Sequence, residues 1–333
     1  MKRTKQLSFL LALALLAAAL FGCQGKTVPE AEPVDAASEA TEAQPTAEPA
    51  LVAAEPIVIT DMMGREVRLE EPATRIVALT AADCEILYAL GAGETLVGRG
   101  EYCNYPPEVN DVTSVQSGFE TNTEQIIALE PDLLFMNTMT QSKEQVEQLE
   151  AAGIQVVVSN AQDIEGVYVA IRMIGTLLGA DEKAEALVTD MQEAFAQIKA
   201  GAGDGSETVY FEVSPLEWGL WTAGTDTFMD EVAGMLGLKN CFSDVSGWAE
   251  ISEEQVLERN QDYILTIAMY SGEGPTPEEE IAARPGWDTL TAVQNGAILN
   301  LQNDELSRPG PRLVDGARAL SEFVEATKAR LGA

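Results

Sequence analysis

The side chains of this chain that could do chemistry are carboxylates and aromatics, because histidine is absent. Without imidazole the usual zinc ligand and general base are missing, and with them every Ser-His or Cys-His nucleophile. The carboxylates Glu101, Glu120, Asp304 and Glu305 could pair as the acid and base of glycoside hydrolysis, but nothing in the sequence fixes their separation. No phosphate-cradling loop, nucleophile elbow or metal motif occurs. An exported carbohydrate-active enzyme is therefore a remote alternative. Neither catalytic residues nor a metal site is expected, and no resident cofactor.

The aromatics say more. Tyr102 and Tyr105 in EYCNYPP, Phe119 in QSGFETN, Trp218 and Trp221 in EWGLWTAG, Trp248 in SGWAE and Tyr270 in MYSGEG each follow a strand or precede a helix. Aromatics make up only 6% of the chain, so this concentration in loops exceeds what ordinary loop packing requires. Large rings at the rims of strands suit a concave, mostly apolar small-molecule site with a few polar groups. Arg99 in VGRG and Arg308 in SRPGPR are the cations placed to reach it, with Arg312 close behind.

The elements that must position these residues alternate. RIVALT, TLVGRG, DLLFMN and IQVVVSN read as short apolar strands separated by AADCEILYALGAG, TEQIIALE and SKEQVEQLEAAG, which read as helices with caps and glycine stops. Strand–helix alternation with short links is the signature of an α/β lobe with a mainly parallel sheet. Two consecutive helices interrupt it, the second carrying an apolar stripe at Leu187, Met191, Phe195 and Ile198. The alternation then restarts from TVYFEV. The expected plan is an N-terminal lobe (56–180), a connecting helix (181–202) and a C-terminal lobe ending in a helix (203–333). A short pattern also recurs: TNTEQIIALEPDLL in the first lobe and ISEEQVLERNQDYIL in the second. In both, a carboxylate (Glu124, Glu254) favours the start of a helix.

The N-terminus is a basic head followed by LSFLLALALLAAALF and Gly22-Cys23. It is too short for a membrane span of ~20 residues and fits an export signal. Cys23 at its end is the expected site of lipidation, giving a signal peptide over 1–22 and, over 23–55, a Pro- and Glu-rich acidic tether that lacks the apolar surface to fold. The net charge is −34. Residues 1–55 hold only 7 acids and 4 bases, so the body itself is strongly acidic. Such a surface repels phosphate backbones and excludes nucleic acid as a partner. Cys84, Cys103 and Cys241 form an odd set, leaving one disulfide and a thiol, or three thiols.

The recurring pair, the opening ITDMMGREVRL…RIVAL and the closing RPGW…TAVQNGAILNL…SRPGPRLVDGARAL together resemble the periplasmic-binding-protein family that serves ABC importers of cobalamin, ferric siderophores and haem. The resemblance runs over nearly all of residues 57–331. It implies two α/β lobes joined by one long rigid helix, with ligand between the lobes. It implies that Glu124 and Glu254 dock the permease dimer, which works with its ATPase subunits, although Glu253 departs from the pattern. It places Tyr102, Trp221, Trp248 and Arg308 at the ligand, with Gly118 in place of a further aromatic and Phe119 beside it. The implied protein is a monomer anchored outside the cytoplasmic membrane by its lipid. Aromatic walls and few cations rank a corrinoid first and a ferric siderophore second. Haem comes third, with Tyr102, Cys103 or Met269 as axial candidates.

Overall fold

The computed structural model describes residues 55–117, 120–138, 142–301 and 305–332. A hairpin comes first, β1 (Ile57–Thr60) against β2 (Glu66–Leu69), antiparallel. Its turn is held by the Asp61 carboxylate, which accepts from the Met63 and Arg65 N–H groups and pairs with the Arg65 guanidinium at 2.8 Å.

The first lobe follows as β3 (Ile76–Ala78), α1 (Ala81–Ala89), β4 (Leu96–Gly100), β5 (Ser114–Val115), α2 (Thr123–Ala128), β6 (Leu133–Met136), α3 (Lys143–Ala151) and β7 (Gln155–Val158). All five sheet strands are parallel, in the order β5-β4-β3-β6-β7. β3 lies in the middle and is fully buried, as a strand covered on both faces must be. The chain leaves β3 toward β4 on one side and later returns to β6 on the other. That reversal leaves a crevice at the carboxyl ends of the strands, where ligands of open α/β sheets bind.

Next come α4 (Ile164–Leu177) and α5 (Asp181–Ala200), with no strand between them. The buried line on α5 is Ala184, Val188, Met191 and Phe195, while Leu187 and Ile198 of the expected stripe are only half-buried. The reason is local. A Cβ built on Gly175 of α4 would lie 2.4 Å from the Ala184 Cβ, so these two small residues let the helices close together and turn α5 onto that side.

The second lobe runs β8 (Thr208–Ser214), β9 (Trp221–Ala223), α6 (Phe228–Met235), β10 (Lys239–Asn240), β11 (Trp248–Glu250), α7 (Glu253–Arg259), β12 (Tyr263–Thr266), α8 (Pro277–Ala283), α9 (Thr291–Gln294), β13 (Ile298–Asn300) and α10 (Leu313–Leu331). Its sheet order is β11-β9-β8-β12-β13, with β10 also on β8. β8, β12 and β13 are parallel, whereas β9 runs antiparallel to both β8 and β11. α5 packs on α4 of one lobe and on α6 and α10 of the other, and one apolar core continues through it into both.

The recurring pattern is a structural repeat. Asn122 caps α2 and Ser252 caps α7, each accepting from a glutamine N–H three residues on. Both units then pass through a left-handed residue, Glu130 (φ 48°) and Asn260 (φ 47°). Each reaches an aspartate that clamps the start of the central strand. Asp132 Oδ2 accepts from the Thr74 N–H and hydroxyl at 2.9 and 3.1 Å, and Asp262 Oδ2 from those of Thr208 at 2.8 and 2.9 Å.

Candidate functional site

A cavity of about 830 Å³ lies at the carboxyl ends of both sheets. That is toward the upper end of the ~300–1,000 Å³ typical of small-molecule sites. The first lobe lines it with Leu79, Thr80 and Ala81 after β3, Tyr102 after β4, Asn137 and Thr138 after β6, and Ser159, Asn160 and Gln162 after β7. The second lobe adds Val213 and Ser214 of β8, Trp221, Phe228, Trp248, Ile267 and the segment Ser307–Pro309.

Tyr102, Trp221, Trp248 and Arg308 of the expected ligand residues are thus brought together. Trp221 and Trp248 stand on the antiparallel pair β9 and β11, with Trp248 opposite Ala223. Trp248, Ala249 and Glu250 form the strand β11, and this is what holds the indole at the rim. The Phe228 ring braces Trp248 at 5.4 Å, and Trp248 Nε1 donates to Gln162 Oε1 at 3.3 Å.

Trp218 and Tyr270 do not line this cavity. They lie with Met269 on a neighbouring hollow of about 550 Å³ in the second lobe. Arg99 is also absent from the lining: its guanidinium donates to the carbonyls of Gly100 and Cys103 at 3.3 and 3.0 Å. Phe119 and Cys23 lie outside the described residues, as does Asp304.

The lining carries almost no net charge. Arg308, its one cation among the described residues, donates to Glu85 Oε1 at 3.0 Å, to Asn104 Oδ1 at 2.7 Å and to the Tyr102 carbonyl at 3.3 Å. Arg312 grips the same Glu85 carboxylate at 2.9 and 3.1 Å and lies 3.9 Å over the Tyr105 ring. Two cations therefore share one buried carboxylate, and that cluster ties the segment before α10 to α1 of the other lobe. Of the axial candidates only Tyr102 lines the cavity, while Cys103 is buried beneath it and Met269 is in the other hollow. All three described cysteines are free thiols.

The hydroxyls and amides Thr80, Asn137, Thr138, Ser159, Asn160 and Gln162 were not anticipated. The available signal was positional, since each directly follows a parallel strand of the first lobe. Among the carboxylates considered for hydrolysis, Glu101 accepts from the Ser117 N–H at 2.9 Å and Glu305 lies 3.8 Å from Arg312; neither lines the cavity.

Glu124 and Glu254 occupy the same position in their repeats, the second residue of α2 and of α7, and both are exposed. The Glu254 N–H and the Ser252 hydroxyl hold its carboxyl below the usual range. Glu253 differs: its Oε2 accepts from the Nε1 of fully buried Trp287 at 2.9 Å.

Residues 76–305 match the family model described as periplasmic binding protein. The ABC transporter substrate-binding lipoprotein YvrC of Bacillus subtilis is 33% identical over 276 residues, covering 81% of this chain and 85% of the relative. The vitamin B12-binding protein of Pectobacterium carotovorum is 28% identical, over 74% of this chain and 86% of the relative. The solved structure of an ABC-type Fe3+-hydroxamate transport protein from Saccharomonospora viridis superposes with a TM-score of 0.68 at 25% identity, over 81% of this chain and 99% of that one. The match to the family model, the extent of the similarity to YvrC and the cavity at the carboxyl ends of the two sheets agree, and the chain belongs to the periplasmic binding protein family.

Proposed function

We propose that this protein captures a corrinoid outside the cytoplasmic membrane and delivers it to the permease of an ABC importer. The observation that carries the ligand is the lining: aromatic walls, a ring of neutral hydroxyls and amides, and an arginine already engaged by Glu85. Corrinoids are bulky macrocycles fringed with carboxamides, so rings can cover their faces while amides and hydroxyls meet their edges. Anionic catecholate chelates and haem propionates call for several available cations. The similarity to B12-binding proteins supports the same choice.

A ferric hydroxamate is the second reading. Such chelates are neutral and suit an uncharged lining, and a hydroxamate-transport protein shares the fold. Titrating the purified protein with cyanocobalamin, a ferric hydroxamate and haemin, read by quenching of Trp221 and Trp248, separates the three. Saturable quenching by cyanocobalamin, with the ligand recovered unchanged, is expected. Preference for the hydroxamate would replace the corrinoid.

Cys23 carries the lipid anchor in this reading, and Glu124 and Glu254 meet the permease, which acts as a dimer with its ATPase subunits. Mass spectrometry of the mature N-terminus tests the first point; an unmodified or internally cleaved N-terminus would remove the anchor.

A further inference from the structure

Beneath the cavity floor lies a carboxyl group that the binding of a neutral ligand does not by itself require. Asp83, in the first turn of α1, is fully buried. Two floor residues, Thr80 and Ser159, stand between it and the cavity. The Thr80 hydroxyl donates to Asp83 Oδ2 and accepts from the Asp83 N–H at 3.2 Å. A hydroxyl has one proton and two lone pairs. Thr80 has therefore committed its proton and one lone pair downward, and only an acceptor remains for the cavity. Asp83 Oδ1 lacks a full hydrogen bond, and the Ser159 hydroxyl is near enough to favour the charged carboxylate without completing one. An ionised carboxylate accepts only, so its charge draws the Ser159 proton toward it as well, without a completed hydrogen bond.

We propose that Asp83 is a specificity-determining residue: by holding the Thr80 and Ser159 protons away from the ligand, it makes the floor an acceptor surface that selects N–H donors, such as a primary carboxamide, over a carboxylate. The inference rests on the corrinoid reading and names which edge groups of that ligand the floor accepts. Protonated Asp83 holds its own proton and releases a floor hydroxyl to donate, so the selection fades in acid. Burial raises the Asp83 carboxyl to about 6, more than the two hydroxyls lower it, which puts the change within reach of ordinary buffers.

The other titratable groups nearby are accounted for. On α1 itself, Glu85 is paired with Arg308 and Arg312, and the neighbouring Cys103 thiol and burial push the Cys84 thiol well up. Tyr88, also on α1, is raised by burial. Packed against α1 are β4, with Arg99 bonded to carbonyls, the short turn carrying Glu94, and α4, with Glu165, Tyr168 and Arg172. Burial raises Glu212 and Glu231 elsewhere in the protein, so a variant at Asp83 is needed to isolate its contribution.

The test titrates the full protein with cyanocobalamin, which does not itself ionise in this window, and with cyanocobalamin monocarboxylic acids in which one edge carboxamide is hydrolysed. The wild type should bind cyanocobalamin about fivefold tighter near pH 7.5 than near pH 5, as a one-unit fall in the Asp83 pKa on binding gives. Near pH 7.5 it should reject the acid whose altered group meets the floor. Asp83→Asn should flatten the pH profile and narrow the discrimination between amide and acid. If that variant fails to fold, Ser159→Ala reports instead, keeping the pH dependence while weakening the discrimination. A flat wild-type profile, or an unchanged profile in Asp83→Asn, overturns the role of Asp83 and leaves the corrinoid reading standing. Failure of cyanocobalamin to bind at all overturns both.

Discussion

Trp248 and Gln162 come from different lobes, yet the indole N–H donates to the amide oxygen at 3.3 Å on the wall of the cavity. The bond fixes the Trp248 ring, which Phe228 supports from behind. Trp248→Ala should weaken cyanocobalamin binding by ~2 kcal/mol or more, as loss of a central aromatic anchor does. Trp248→Phe keeps most of the wall and should cost less. Calorimetric titration of both variants decides; an unchanged affinity in Trp248→Ala would remove the residue from the site.

Neighbouring glutamates on α7 should behave in opposite ways. Glu124→Ala combined with Glu254→Ala removes two exposed carboxylates, so ligand affinity and stability should hold while uptake into cells is lost. Glu253→Ala instead strands the buried Trp287 N–H and should cost about 1–3 kcal/mol in urea unfolding. Loss of affinity in the double variant would move Glu124 and Glu254 from the docking surface to the ligand.

Glu85 should be the most sensitive ionic residue near the cavity. Its carboxylate is shared by Arg308 and Arg312, whose side chains are only 11% and 10% exposed. Glu85→Ala leaves both guanidiniums short of their main counter-charge, a change of about 3–5 kcal/mol for a broken buried pair. Denaturant unfolding would register it, and a loss below 1 kcal/mol would show that water reaches the cluster.

Asp83 also predicts an inverted pH effect on stability. Its folded value of about 6 lies above the 3.8 of an unperturbed aspartate, so between those limits the folded chain binds more protons than the unfolded one. Stability from this group is greatest below the lower value and falls as pH rises to the upper, by up to about 3 kcal/mol. Asp83→Asn should therefore be more stable than the wild type near pH 7.5, and the gain should shrink near pH 4. A gain that persists unchanged in acid would mean that burial of the charge is not its source.

The two-lobe α/β plan was legible because alternating short strands and capped helices leave few alternatives. Tyr102, Trp221 and Trp248 were legible because large rings at strand rims have little other use. Trp218 and Tyr270 satisfied the same rule yet fell into the neighbouring hollow, since the rule locates a ring on an edge without saying which way the loop folds. Arg99 looked available only because no sequence pattern shows that a guanidinium is already spent on two carbonyls. The floor residues Thr80 and Ser159 were invisible by type, being ordinary serine and threonine, and take meaning only from the carboxylate beneath them.

The paired units ending in Asp132 and Asp262 bear on how the cavity is built. Each unit leads into a strand, β6 or β12, beside a central strand whose start its aspartate clamps. The residues that leave those strands, Asn137 in one half and Ile267 in the other, both line the cavity, as do the ends of the central strands at Leu79 and Val213. The pocket thus lies where two halves built on the same strand-start clamp meet. The two halves differ in what they present: one lines the cavity with amides and hydroxyls at its strand ends, and the other with two indoles held on an antiparallel ribbon.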